Sequence, residues 1–375
     1  MNRLPYLKYG GKMSKIIITA DVHFGVPGRL QDSLLAVKTI REYAKRADID
    51  TVIILGDLYH DRRSLEIDVI HHTSEFFEDT KNNYDQNWVA FPGNHDMFLR
   101  HSWEINSLTQ LRTNLTVIDD IKQLLIDDRR FWVVPFITYE KAYMSVLYKI
   151  KEQIQPDDIL LTHIGIRGAA YNTCFLLKDW GIVQFNDFDF SRIYAGHFHN
   201  KQQIGEDIWY PGSPIPFKFD EGDTAHGFYV YDLEEDSHRF INIWKACEKF
   251  FPDIIPPPQF LTILDDNLNS QNKIDINNNI VRVALQRDYT SDEKSSIREL
   301  LTDLGARSVR WWDIVKKIDE KMELKAPAEY KDLFKSFYSA DNSPKKKDLD
   351  KSILFQAHSE VVIEGDQLYS VEEIE

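Results

Sequence analysis

The 375-residue chain has only two cysteines, Cys174 and Cys247. Two thiols cannot build a disulfide framework, and this pair lacks the spacing of a zinc–thiolate site, so a reducing, cytoplasmic setting is expected. No apolar run approaches the ~18 residues of a membrane-spanning helix. The first twelve residues lack the apolar segment of a secretory signal, and Met13 is a candidate start because the first expected strand begins three residues later. An excess of basic residues is missing too: 45 Lys and Arg stand against 60 Asp and Glu, a formal net charge of −15. That balance argues against a broad phosphate-neutralising face, although bound cations can supply positive charge locally. There is no internal repeat and no low-complexity tract. What is present, 43% hydrophobic and 13% aromatic residues, is the composition of a globular protein with one large domain and smaller ones.

Short apolar runs rich in β-branched residues predict buried strands at Ile16–Ala20, Thr51–Leu55, Trp88–Phe91 and Ile159–Thr162, with a weaker one at Ser191–Ala195. Helical spacing between them predicts helices over Asp32–Lys45 and Leu65–Asp79. Strand–helix alternation of this kind predicts a layered α/β core. Further strands, expected to be antiparallel, are read at Asp207–Pro211, Gly227–Asp232 and Arg239–Trp244, and the four prolines of Phe251–Pro258 mark a linker. A small β/α unit follows, with strands at Phe260–Leu264, Val281–Gln286 and Ser308–Val315 and a helix over Ser291–Leu304. A helix–loop–helix closes the chain.

The chemistry sits at the strand ends. Asp21-Val22-His23, Gly56-Asp57-Leu58-Tyr59-His60, Gly93-Asn94-His95-Asp96, His163 and Gly196-His197-Phe198-His199 each follow one of the expected strands. Ligand sites of open α/β sheets lie outside the carboxyl ends of the strands, so these five fragments are expected to converge. Singly, each has an ordinary reading. Asp-x-His is common, a histidine after an apolar run is usually a satisfied core residue, and Gly-Asp is an ordinary turn. In this order they offer carboxylate, imidazole and amide donors for two divalent cations, with Asp57 able to bridge them. The absence of sulfur suits manganese, iron or zinc. His95 is left free to act on a leaving oxygen. His60, Arg62 and Arg63 are candidates for phosphate contacts. Six of the 12 histidines fall in these fragments; His71, His72, His101, His226, His238 and His358 are read as structural or surface residues.

Over residues 14–245 the ordered set D-x-H, G-D-x-x-H, G-N-H-D, H and G-H-x-H resembles the calcineurin-like metallophosphoesterases. His60 and the segment Trp209-Tyr210-Pro211-Gly212-Ser213-Pro214 narrow the resemblance to SbcD-type double-strand-break-repair nucleases and their phage recombination relatives. The resemblance implies a four-layer α/β/β/α sandwich over 1–250, a small α+β capping, DNA-guiding domain at 259–320, and an ATPase-docking helix–loop–helix at 327–375. It implies Asp21, His23, Asp57 and His199 at one metal ion and Asp57, Asn94, His163 and His197 at the other. His95 is implied as the catalytic histidine and His60 as a phosphate-orienting group. Two manganese ions, 3′→5′ exonuclease action on duplex ends and endonuclease action on single strands or hairpins are implied as well. So are a homodimer, an SMC-like coiled-coil ATPase of the SbcC type as partner, and residence in a bacterial cell or phage-infected host. The alternative is a phosphodiesterase or phosphatase acting on a nucleotide or other small phosphoester; the roughly 125 residues after position 250 speak against it.

Overall fold

The computed structural model describes residues 6–9, 15–99, 101–172, 175–176, 185, 187–222, 224–265, 268 and 276–313. The helix–loop–helix expected over 327–375 lies outside the described residues, as do Cys174 and His358. The chain divides into two compact units, with the main boundary between Gln259 and Phe260.

The first unit contains two mixed sheets. The strands of these two sheets are β1 (Tyr6–Tyr9), β2 (Lys15–Thr19), β3 (Thr51–Ile54), β4 (Asn87–Ala90), β5 (Thr116–Val117), β6 (Lys122–Ile126), β7 (Arg129–Val134), β8 (Ile159–His163), β9 (Arg192–Gly196), β10 (Gln202–Ile204), β11 (Ile208–Tyr210), β12 (Gly227–Asp232) and β13 (Ser237–Asn242). The helices are α1 (Leu30–Arg46), α2 (Ile67–Tyr84), α3 (Glu140–Ile150) and α4 (Ile243–Phe250). One sheet runs β13-β12-β2-β3-β4-β5 and the other β1-β6-β7-β8-β9-β11-β10. The parallel neighbours β2–β3–β4 and β8–β9 form the two sheet centres.

Alternation along the strands shows the layers. Ile17, Val52 and Ile54 face one way, into a core completed by Val37 and Ile40 of α1, Phe76 and Phe77 of α2, and Ile243 of α4. Ile16, Ile18 and Ile53 face the other way and meet Phe131, Val133, Ile159 and Leu161 of the second sheet. The far face of that sheet presents Trp132, Val134 and Leu160 to Tyr143, Leu147 and Ile150 of α3. The order is therefore helix, sheet, sheet, helix, the four-layer sandwich expected. Burial on both faces explains why these strands are continuous apolar runs.

Local boundaries differ from the sequence reading. Helix α2 continues five residues beyond Asp79, to Tyr84, and stops where Asp85 takes a left-handed φ of 52°. The strand expected over Arg239–Trp244 ends at Asn242, whose side chain accepts a hydrogen bond from Lys245 N and so caps α4. Within the expected Asp207–Pro211 strand, β11 pairs antiparallel with β10 but parallel with β9. Helix α3 was not anticipated.

The described part of the second unit holds three parallel strands, β14 (Phe260–Leu264), β15 (Ile280–Leu285) and β16 (Ser308–Asp313), with α5 (Ser291–Asp303). Ile263, Val281, Val283, Leu285 and Leu301 form its core. Thr290 and Glu293 make a reciprocal capping box at the start of α5. Among the described residues no helix is long and apolar enough to cross a membrane.

Candidate metal centre

Asp21, Asp57 and Asn94 follow β2, β3 and β4, His163 ends β8, and His197 follows β9. The carboxyl ends of both sheets thus meet at one place: backbone hydrogen bonds from Asp21 N to Gly56 O (3.1 Å) and from His23 N to Asp57 O (3.0 Å) join the turns after β2 and β3, and His197 N of the second sheet donates to Asp21 Oδ1 (3.1 Å). The turns are strained. Asp21, His23 and Asp57 have φ of 52°, 49° and 52°, and His197 has 106°. Non-glycine residues enter this region at a cost of about 1–3 kcal/mol each, and such outliers cluster at functional sites. Close approach is also built in: a Cβ on Gly56 would lie 2.5 Å from His163 Nδ1, and one on Gly93 would overlap the Asp57 carboxylate.

Every residue expected at the metal sites lies in one cluster. Asp21, His23, Asp57 and His163 form its buried floor, while Asn94, His60, His95, His197 and His199 are half-buried. Asp57 Oδ2 lies 3.3 Å from His163 Nε2 and 3.8 Å from His23 Nε2. Asn94 Oδ1 lies 3.0 Å from His163 Nε2 and 2.9 Å from His197 Nδ1. His23 Nε2 and His199 Nε2 are 2.9 Å apart. The donor atoms of Asp21, His23 and His199 lie within 4.8 Å of one another, and so do those of Asp21, Asp57 and His163.

The electrostatics favour cations. His163 directs Nδ1 to Leu55 O (2.7 Å), and His199 directs Nδ1 to Glu221 Oε1 (2.7 Å). Both Nε2 atoms therefore face other acceptors, a repulsive arrangement unless a proton or metal ion lies between them. Burial works to lower both histidines, but Asp57 raises His163 to about 9 and Glu221 raises His199 to about 9. Burial and the charge of His163 push His197 down to about 3, while burial and His199 hold His23 well below its usual value. Burial raises Asp21 to about 6; at Asp57 it acts the same way but is overcome by His163, leaving that carboxyl well below the usual range. The raised proton affinity of His163 and His199 marks two places where the surrounding acceptors favour positive charge, which bound divalent ions would supply. The residues fit a dinuclear centre.

His95 stands apart from these sets. Its backbone N donates to Asp57 Oδ1 (2.8 Å), and its Nδ1 pairs with His60 O at 2.6 Å. The His60 and His95 rings stack with centroids 5.5 Å apart, and their nitrogens group with those of His23. Arg63 lies on an exposed turn whose backbone is held by Asp61.

Two supporting carboxylates had no role in the sequence reading. Buried Asp96 accepts from Leu58 N (3.2 Å), Tyr59 N (3.0 Å) and Gly93 N (3.0 Å), joining the turn that holds Asp57 to the turn that holds Asn94. Burial and Asp57 raise it to about 7. Its signal was the last letter of Gly-Asn-His-Asp. Glu221, which holds His199 from behind, has no marking motif.

The calcineurin-like phosphoesterase family matches residues 14–201, half of the chain, and the protein belongs to that family. It is a metal-dependent hydrolase acting on phosphodiesters through a dimetal centre. Among its relatives, the SbcD subunit of nuclease SbcCD from Staphylococcus epidermidis is 24% identical over 329 residues, 78% of this chain and 85% of that protein. Exonuclease subunit 1 of Enterobacteria phage T4 is 23% identical over 239 residues, 60% of this chain and 67% of that protein. Putative phosphoesterase 078R of Invertebrate iridescent virus 3 is 23% identical over 216 residues, 54% of this chain and 58% of that protein. The first two bear out the SbcD-type resemblance.

Proposed function

We propose that the chain is the nuclease subunit of a DNA repair or recombination complex. It acts as a 3′→5′ exonuclease on duplex ends and as an endonuclease on single strands or hairpins. The observation that carries the reading is the meeting of five strand-end fragments around Asp57. The names of the bacterial and phage relatives, a nuclease subunit and an exonuclease subunit, support a nucleic acid as the substrate, and the SbcD-type resemblance makes it DNA. Asp21, His23, Asp57 and His199 would hold one ion and Asp57, Asn94, His163 and His197 the other; of the metals that an oxygen–nitrogen set suits, manganese is the one the SbcD-type resemblance implies. When bound, the two ions supply Lewis acidity and a water acidic enough to attack phosphorus near neutral pH. His95, its Nδ1–H donated to His60 O, directs Nε2 toward the leaving oxygen and can deliver a proton there. His60 orients the phosphate from beside it. The unit at 259–320 guides DNA, residues 327–375 dock a coiled-coil ATPase of the SbcC type, and the nuclease domain forms a homodimer. The setting is the cytoplasm of a bacterial cell or phage-infected host.

End-labelled linear duplex, hairpin DNA and a generic phosphodiester, each offered with manganese, test this. Manganese-dependent degradation of the DNA is expected, lost in Asp57→Ala and reduced about 10²–10⁴-fold in His95→Ala. Hydrolysis of the small phosphodiester with DNA untouched would establish the small-molecule alternative.

A further inference from the structure

We propose that Glu221 is the positioning residue for His199, fixing which ring nitrogen faces the metal centre; the inference rests on the two-metal reading above. Glu221 is 6% exposed, a depth at which a carboxylate needs partners. Its Oε1 is 2.7 Å from His199 Nδ1, while Oε2 accepts from Phe217 N at 2.6 Å and Lys218 N at 3.3 Å. The loop that carries it closes back on His199. Ser213 N donates to His199 O (3.0 Å), and His226 bridges Ser213 O and Glu221 O, each at 2.9 Å. The backbone of His199 and its ring are therefore held by one segment.

The consequence is chemical. With Nδ1–H committed to Glu221, Nε2 is the nitrogen presented to His23 Nε2 and the centre. Without that acceptor the ring is free to change tautomer or rotate, and Nε2 loses its fixed direction. Glu221 also fixes the backbone of Phe217, whose ring lies 5.6 Å from His23 and 5.8 Å from His199 and forms a wall beside both. His163 is held from behind by a backbone carbonyl, so at Glu221, unlike at His163, a side-chain change removes the support.

Calorimetric titration of the metal-stripped full chain with manganese chloride tests the proposal. The parent is expected to bind two ions. Glu221→Ala is expected to weaken one of them about 10–100-fold and leave the other within a few-fold. Glu221→Gln, which keeps an acceptor oxygen, is expected to restore most of the loss. Two ions bound by Glu221→Ala with parental affinity would overturn the proposal while leaving the two-metal reading intact. A parent that binds fewer than two ions would overturn both. If Glu221→Ala does not fold, Glu221→Met, of similar length but without an acceptor oxygen, decides in its place: weakening confined to one ion supports positioning, and equal weakening of both, or none, refutes it.

Discussion

Asp57 shows how much one residue is asked to do. It lies against histidines on two different sheets, takes a left-handed φ of 52°, and is approached so closely that Gly93 must lack a side chain. The pH dependence of metal binding follows from the histidines around it. His163 and His199 are raised from 6.5 to about 9, so their protons contribute stability to the metal-free fold that is complete below about 6.5 and lost as pH rises through about 9. Metal must displace those protons. Manganese affinity is therefore expected to rise with pH across that window, and calorimetry in buffers of different ionisation heat should show proton release at neutral pH. An affinity independent of pH would contradict this. Asp96→Ala is expected to cost on the order of 3 kcal/mol in urea unfolding with chelator present, because three buried backbone donors lose their acceptor. The metal-site candidates were legible because each follows an expected strand, all but His163 within a short motif. Glu221 was not, because it lies 22 positions beyond His199 in a loop whose conformation brings it back.

At the scale of elements, the central strands were readable because burial on both faces makes them uninterrupted apolar runs. Helix ends were less readable, since they depend on caps. Asn242 terminates β13 and opens α4 with the same side chain, and the apolar Ile243 and Trp244 that follow suit a strand as well as a helix. Asn242→Ala is expected to destabilise the protein by about 1 kcal/mol in urea unfolding, with Asn242→Asp close to the parent. Equal losses in both would rule out capping as the cause. Helix α3 carries only three buried residues in eleven, Tyr143, Leu147 and Ile150, a stripe too narrow to stand out by periodicity.

For the whole molecule, the sandwich explains how fragments far apart in sequence make one site: parallel strands of two sheets end on the same side. The formal charge of −15 argues against a broad basic surface and puts the weight of phosphate recognition on the metal centre. Chelator treatment is accordingly expected to abolish DNA hydrolysis while leaving the fold intact by circular dichroism. The central claim, one dinuclear centre bridged by Asp57, is tested most directly by an anomalous difference map from crystals grown with manganese. Two peaks ~3.5–4 Å apart, both touching the Asp57 carboxylate, are the expected result. A single peak, or two that do not share Asp57, would contradict the account.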